Sequence, residues 1–450
     1  MGRQVDQLAA FVATATWEDI PECVRDHAKL VLLDTIGVIL AGSERPEVSA
    51  LRRAMSATAG VTLFARGAPR ADPRSAALLN GIAGRAIELC EGLRLVSGQA
   101  AAQVLPAVLA VAEAQGRSGQ EMLTAFILGY DAAARLCTAF TPWPLAHQNG
   151  QACLVAAAAA GARLHGIDAA GISRAMRIAA TLVLTPSYTN VVAGATALNV
   201  AGGMSGFAGA LAPELAASGF LAQDDAIEES LGNLVGAGFN QDRLAEGLGS
   251  VWHITRNYFR LYACCNPIHP ALDALAAVLR QLRPRPEQID RIDIETYRFA
   301  SIMRNPDPSN FFASKYSLPH AAAAMVARGG AGHAELDDSA LTDPVISALR
   351  HRVHIAEDPA MTAQVPDQRP ARVVVTLANG RTAEHAVQSH RGDFRQPFDQ
   401  AELRAKFRLL AGEVLTDAGV STAEQTIDRS PEWDSLDVIT RVMRQHSRSG

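Results

Sequence analysis

The chain has 450 residues and a mass of 47.6 kDa, a length that accommodates two or three domains and a core large enough to need no disulfide staples. A net charge of −5 offers no broad attraction for phosphate backbones, which argues against a nucleic-acid partner. Apolar residues make up 48% of the chain but aromatic ones only 5%, so the core must be built mainly from Ala, Leu, Val and Ile, a composition that favours closely packed helices.

The first twenty residues lack the long apolar core of a secretory signal, and the apolar runs 30–42 and 152–162 are too short to span a bilayer. Six scattered cysteines make no disulfide framework. A cytoplasmic protein with a small-molecule substrate and no membrane partner is expected. CxxC, HExxH, P-loop and GxGxxG patterns are absent, so neither a metal nor a cofactor is expected. Only Lys29, Lys315 and Lys406 are lysines, which leaves 41 minus 3, or 38, arginines.

In chain order, helical spacing predicts helices near 20–41, 101–115, 119–139, 152–165, 169–184, 203–218 and 225–231. Asp72-Pro73 provides an N-cap and first-turn proline for a helix expected to run to about Glu91. The texture changes after Cys265. Residues 291–297 alternate polar and apolar as a half-buried strand does, and 372–377 and 381–387 flank Asn379-Gly380, a favoured hairpin turn. Helical patterns at 269–282, 318–328 and 338–350 surround these strands, and helix returns after Asp399 and again near 433–445. The expected fold is mainly α: a helical domain (1–266), a smaller α/β domain (267–394) and C-terminal helices (395–450) that return to the first domain.

Five segments in order carry a family resemblance: LVLLDTIGVILAGS (30–43), LLNGIAGRAIEL (78–89), VLPAVLAVAEAQGRSGQEMLTAFILGYDAAARL (104–136), KYSLPHAAAAMVARG (315–329) and HRGDFRQPFDQAELRAKFRLLA (390–411). Together they resemble the 2-methylcitrate dehydratase family, MmgE/PrpD, over nearly the whole chain. The resemblance implies a large all-helical domain formed by both ends of the chain and a smaller α/β lid, with the active site between them, and homodimers. It also implies cofactor-independent lyase or isomerase chemistry: dehydration, decarboxylation or epimerisation beside carboxylates, with cations to hold the substrate and a group to exchange the proton.

The family pattern is altered where chemistry is expected. Asn80 and Gly81 stand, but Arg85 and Glu88 replace a His and an Asp, Cys90 and Glu91 replace an Asp pair, and Gln99 falls at a His position. Leu198 and Arg260 occupy the places of two lysines, and Cys265 that of a decarboxylase His. His147 and His269 are retained. Glu88, His147 and His269 are therefore the candidate catalytic residues, with Arg85, Gln99, Arg260, Tyr262 and Lys315 as candidate substrate contacts. Each also has a plain structural reading: Arg85 with Glu88, and Glu91 with Arg94, form ion pairs at helical spacing, while His269 and Tyr262 pack and Lys315 is part of the framework.

The leading expectation is a lyase or isomerase that moves a proton on a carboxylate-bearing or carbonyl-bearing small molecule other than 2-methylcitrate. Arginine keeps the charge of the missing lysines but does not readily become a neutral base. Two other readings stand beside it: a biosynthetic dehydratase or cyclase with a less polar substrate, and a non-catalytic homologue that binds a ligand or partner.

Overall fold

The computed structural model describes residues 3–448, and the chain is mainly helical. Helices Glu22–Gly42, Ala100–Ala114, Gly119–Ala139 and Ala152–Leu164 fall within two residues of their expected bounds. The reasons are local. Ser118 and Glu121 form a reciprocal capping box, and Asp72 accepts from the backbone of Arg74 and Ser75 ahead of Pro73, in each case occupying amides that would otherwise be unpaired. No helix among the described residues is long and apolar enough to cross a membrane.

Small residues let the helices meet backbone to backbone. Ala197–Ala217 packs on Pro73–Ala83, Ala152–Leu164 and Ala100–Ala114. At these crossings a Cβ on Gly161 would lie 2.1 Å from the Gly209 carbonyl oxygen, and one on Gly203 would lie 2.5 Å from that of Leu78. Close approach of this kind is what an Ala-rich and Gly-rich composition permits, and it builds a dense interior without large side chains.

Two hydrophobic cores follow. The first joins residues from Val5 to Phe259 with Leu403 to Met443, so the C-terminal helices pack with the N-terminal ones. Lys406 pins that return, donating to Asp34 at 2.6 Å and to the Leu89 carbonyl at 2.8 Å. The second core is built mainly from Ala263 to Ala383, with a few residues such as Val38, Ile87 and Leu198 reaching into it. Its sheet has the order Thr382–Val387, Ala371–Leu377, Ile289–Thr296, Val353–Glu357. The first three strands are antiparallel neighbours and the last pairs parallel with Ile289–Thr296. The Asn379-Gly380 turn forms the expected hairpin, with Gly380 at φ 81°, a conformation that suits glycine.

Several boundaries differ from the expectation. The helix starting at Pro73 ends at Ala83, not near Glu91, because Gly84 caps it and the chain then turns, with Glu88 in the left-handed region at φ 53°. Arg85 and Glu88 are thus joined across a turn and do not share a helix face. Glu91 does not pair with Arg94, whose guanidinium bonds Asp393 instead. The region 338–350 splits into Asp338–Leu341 and Pro344–Arg350, with Asp343 capping the second piece. Ala169–Ala180 stops short of residue 184, Ala197–Ala217 starts six residues before the expected 203, and the expected 225–231 helix is a wider-turned one at Glu228–Leu234.

Candidate active site

A cavity of about 330 Å³ is walled by the turn after Pro73–Ala83, the loop 93–99, residues 147–148, 188, 258, 260 and 265–267, and residues 297, 299, 316, 365, 366 and 369. It brings together Arg85, Glu88, Gln99, His147 and Arg260 from among the candidates read in the sequence. A size near the lower end of ligand pockets fits a small molecule.

Glu88 is the centre of its charge network. Arg85 Nη2 donates to Oε1 at 2.5 Å, Arg260 Nη1 donates to Oε2 at 2.6 Å, and the Tyr316 hydroxyl donates to Oε1 at 3.0 Å. Arg260 Nη1 also reaches the Glu88 carbonyl at 3.0 Å. These bonds to both ends of the residue hold a backbone conformation that costs a non-glycine residue about 1–2 kcal/mol. Burial by itself would raise the carboxyl pKa, but the Arg85 and Arg260 guanidiniums outweigh it and hold it at about 2. Glu88 is therefore a carboxylate at neutral pH. Arg85 has room for its stem because residue 202 is glycine: a Cβ there would lie 2.7 Å from Arg85 Cγ.

His147 sits on a loop paired to a second one, its amide bonding the Pro186 carbonyl at 2.8 Å and the Tyr188 amide bonding the Leu145 carbonyl at 2.9 Å. This pairing stacks the His147 ring on Tyr188, with centroids 5.6 Å apart and planes at 11°. The Asn149 amide donates to His147 Nδ1 at 3.3 Å, so the neutral ring carries its proton on Nε2. Burial, reinforced by Arg85, pushes its pKa down to about 3. His147 is thus a neutral hydrogen-bond donor at pH 7.

Tyr262, His269 and Lys315 are not on the cavity wall. Tyr262 donates to Asp273 at 2.8 Å, His269 Nε2 donates to the Cys264 carbonyl at 3.1 Å, and Lys315 Nζ donates to the Leu336 carbonyl at 2.6 Å. Lys315 also lies 4.0 Å from the centroid of the Phe311 ring, and burial pushes its ammonium down to about 7. The three residues form the support behind the wall. Of the other altered family positions, Cys265 reaches the wall, where burial and the Glu88 charge push its thiol up to about 12. Leu198 is buried in the second core.

The sequence reading missed Tyr188, Tyr258, Tyr297, Phe299, Tyr316 and Arg369 on the wall. The signal available was concentration: the chain has only six tyrosines, and Tyr258 and Tyr316 lie within two residues of Arg260 and Lys315. Arg369 bonds Asn266 Oδ1 at 2.5 Å and the Arg94 carbonyl at 3.0 Å.

Glu91 lies behind this wall, accepting from the Tyr130 hydroxyl at 2.6 Å, the Ala101 amide at 2.9 Å and Asn257 Nδ2 at 3.3 Å. Burial outweighs these donors and raises its pKa to about 7. A carboxyl whose folded pKa is raised favours the native state fully below its unfolded pKa, and that contribution is lost as pH rises through the folded value. Denaturation of wild type and Glu91→Gln at pH 5 and pH 8 is expected to show the wild type losing, relative to the variant, on the order of 3 kcal/mol. An unchanged gap would remove Glu91 as the source.

The cavity thus gathers an arginine-held carboxylate and a neutral histidine on one wall of a mainly helical protein. The chain belongs to the MmgE/PrpD family, whose N-terminal domain model matches residues 6–242 and whose C-terminal domain model matches residues 262–430. It is similar to the cis-aconitate decarboxylase of Aspergillus terreus (strain NIH 2624 / FGSC A1156), with 24% identity over 459 residues, covering 94% of this chain and 92% of the relative. A cis-aconitate decarboxylase-like protein, oryM, from Aspergillus oryzae (strain ATCC 42149 / RIB 40) is 25% identical over 468 residues, covering 95% and 94%. The cis-aconitate decarboxylase of Mus musculus is 23% identical over 441 residues, covering 93% and 88%.

Proposed function

We propose that the protein is a cofactor-independent lyase or isomerase that moves a proton next to a carboxylate on a small substrate other than 2-methylcitrate. One observation carries this reading: Glu88 is clamped by Arg85 and Arg260 on the same cavity wall as His147. Both arginines line the cavity, and their guanidiniums carry more N–H groups than Glu88 accepts, so they can also donate to a substrate carboxylate. A second anion on the same two cations weakens their hold on Glu88 and raises its proton affinity. Glu88 then removes the proton from the carbon beside the carboxylate, and the electron pair moves onto the substrate oxygen. The two guanidiniums and the Nε2–H of His147 stabilise the resulting enolate-like charge. Return of the proton to another face gives isomerisation, whereas loss of a neighbouring hydroxyl as water gives elimination.

The names of the relatives favour a second outcome in the same cavity. Loss of CO2 leaves its electron pair on the substrate carbon, so cations and a proton donor suffice and no base is needed. The same reading includes a division into residues 1–266, 267–394 and 395–450, with the middle part acting as a lid, in a cytoplasmic homodimer.

The test is deuterium incorporation from D2O, with CO2 release followed in parallel, across a panel of carboxylic acids. His147→Ala is expected to lower whichever activity is found about a hundredfold. No exchange and no CO2 release from any acid, or an activity untouched by His147→Ala, would overturn the reading.

A further inference from the structure

We propose that this cavity selects a monocarboxylate with a planar, unsaturated or aryl body over dicarboxylates and tricarboxylates; the inference rests on taking the cavity as the substrate site. Charge provides the first argument. The two guanidiniums at its buried end already face one carboxylate of the chain, Glu88, which leaves a single uncompensated positive charge there. Their terminal nitrogens each already hold a protein partner: Arg85 bonds Glu88 and Cys90, and Arg260 bonds Glu88, the Cys264 carbonyl and the Tyr258 hydroxyl.

Arg369, the third cation of the wall, commits both terminal nitrogens to Asn266 and Arg94 and is partly exposed. A second carboxylate beside it gains little in that solvated setting. A tricarboxylate would therefore bring three negative charges to a buried end with one net positive charge, and each unpaired ion carries a desolvation penalty of several kcal/mol.

The wall gives the second argument. Although few of the chain's residues are aromatic, four of its six tyrosines line this cavity, together with Phe299. Their polar ends are turned to the protein: the Tyr316 hydroxyl donates to Glu88, that of Tyr258 accepts from Arg260, and that of Tyr297 donates to the Pro267 carbonyl at 3.1 Å. What these three tyrosines and Phe299 offer a ligand is ring carbon, while the Tyr188 hydroxyl has no hydrogen-bond partner among the described residues. Tyr188 continues the surface to the mouth, 5.2 Å from Phe299 between centroids. Rings at such spacings suit a flat conjugated body.

Calorimetric titration of the full chain at pH 7 with cinnamate, acrylate and cis-aconitate tests the proposal. Cinnamate is expected to bind at least about tenfold more tightly than cis-aconitate. Phe299→Ala, at a half-exposed position, is expected to weaken cinnamate about tenfold and leave acrylate unchanged. Equal or tighter binding of cis-aconitate, no saturable binding of cinnamate, or a Phe299→Ala variant with an unchanged cinnamate-to-acrylate ratio would overturn it. Deuterium exchange separates this from the catalytic reading. Cinnamate binding as expected, with no exchange or CO2 release in any acid, leaves the selectivity standing and removes the catalysis; turnover of cis-aconitate with tight binding does the reverse.

Discussion

Glu88→Gln is expected to lower the rate of deuterium exchange by at least about a hundredfold, the usual contribution of a positioned general base. The variant should also bind its carboxylic acid more tightly, because the ligand no longer competes with Glu88 for Arg85 and Arg260. Lower kcat together with lower KM identifies a group that both reacts and screens the substrate site. A residue with a purely structural role would not produce that pair of changes. The same substitution leaves two buried guanidiniums without their counter-charge and should destabilise the unliganded protein by about 3–5 kcal/mol, with added carboxylate restoring part of the loss. Rate and stability are therefore to be measured on the same preparation across ligand concentrations. If exchange persists at the wild-type rate, Glu88 is not the base.

Gly203→Ala is expected to damage the fold although it adds a single methyl group. In an exposed helix Ala exceeds Gly by up to about 1 kcal/mol, so local propensity predicts a gain. Here a Cβ would lie 2.5 Å from the Leu78 carbonyl oxygen and 2.6 Å from Ile82 Cγ1. The nearest of these atoms is backbone, so the two helices must separate, and the net loss should reach about 2–3 kcal/mol. Gly238→Ala, at a position where a Cβ meets nothing within 4 Å, should change stability by less than about 0.5 kcal/mol. Urea midpoints of the two variants decide the matter, and equal midpoints would mean that the crossing is not tightly packed. Because Arg85 follows the Pro73–Ala83 helix by two residues, the first variant should lose activity as well.

Much of the helical body was legible in the sequence because its signals are local. Asp72 with Pro73 marks a helix start by chemistry between adjacent residues, and Asn379-Gly380 marks its hairpin in the same way. The strand Val353–Glu357 escaped notice because VHIAE alternates only weakly and it is paired parallel to Ile289–Thr296, sixty residues away. The site divides along the same line. Arg85, Glu88, Gln99, His147 and Arg260 were reached through motif positions, and the cavity brings them together. The turn that presents Glu88 was not foreseen, since it is held by Arg260, whose position is set by the rest of the fold. Lys315 lies elsewhere. Its motif suggested substrate contact, but the side chain is consumed by the Leu336 carbonyl and the Phe311 ring. The tyrosines of the wall come from distant segments with no shared spacing, so only the folded chain assembles them.

The Lys406–Asp34 contact joins residues 372 positions apart, and with it the helix Gln400–Ala411 lies along Glu22–Gly42. During synthesis, the helix carrying Asp34 leaves the ribosome long before the segment that covers it. Leu33, Ile36 and Val38 belong to helix positions that are fully covered in the finished molecule, and the partner surface of Phe407 and Leu410 is made roughly 370 residues later. The nascent chain must therefore carry an incompletely sheltered apolar helix until that segment is made, the condition under which chaperones engage and premature termination yields aggregation.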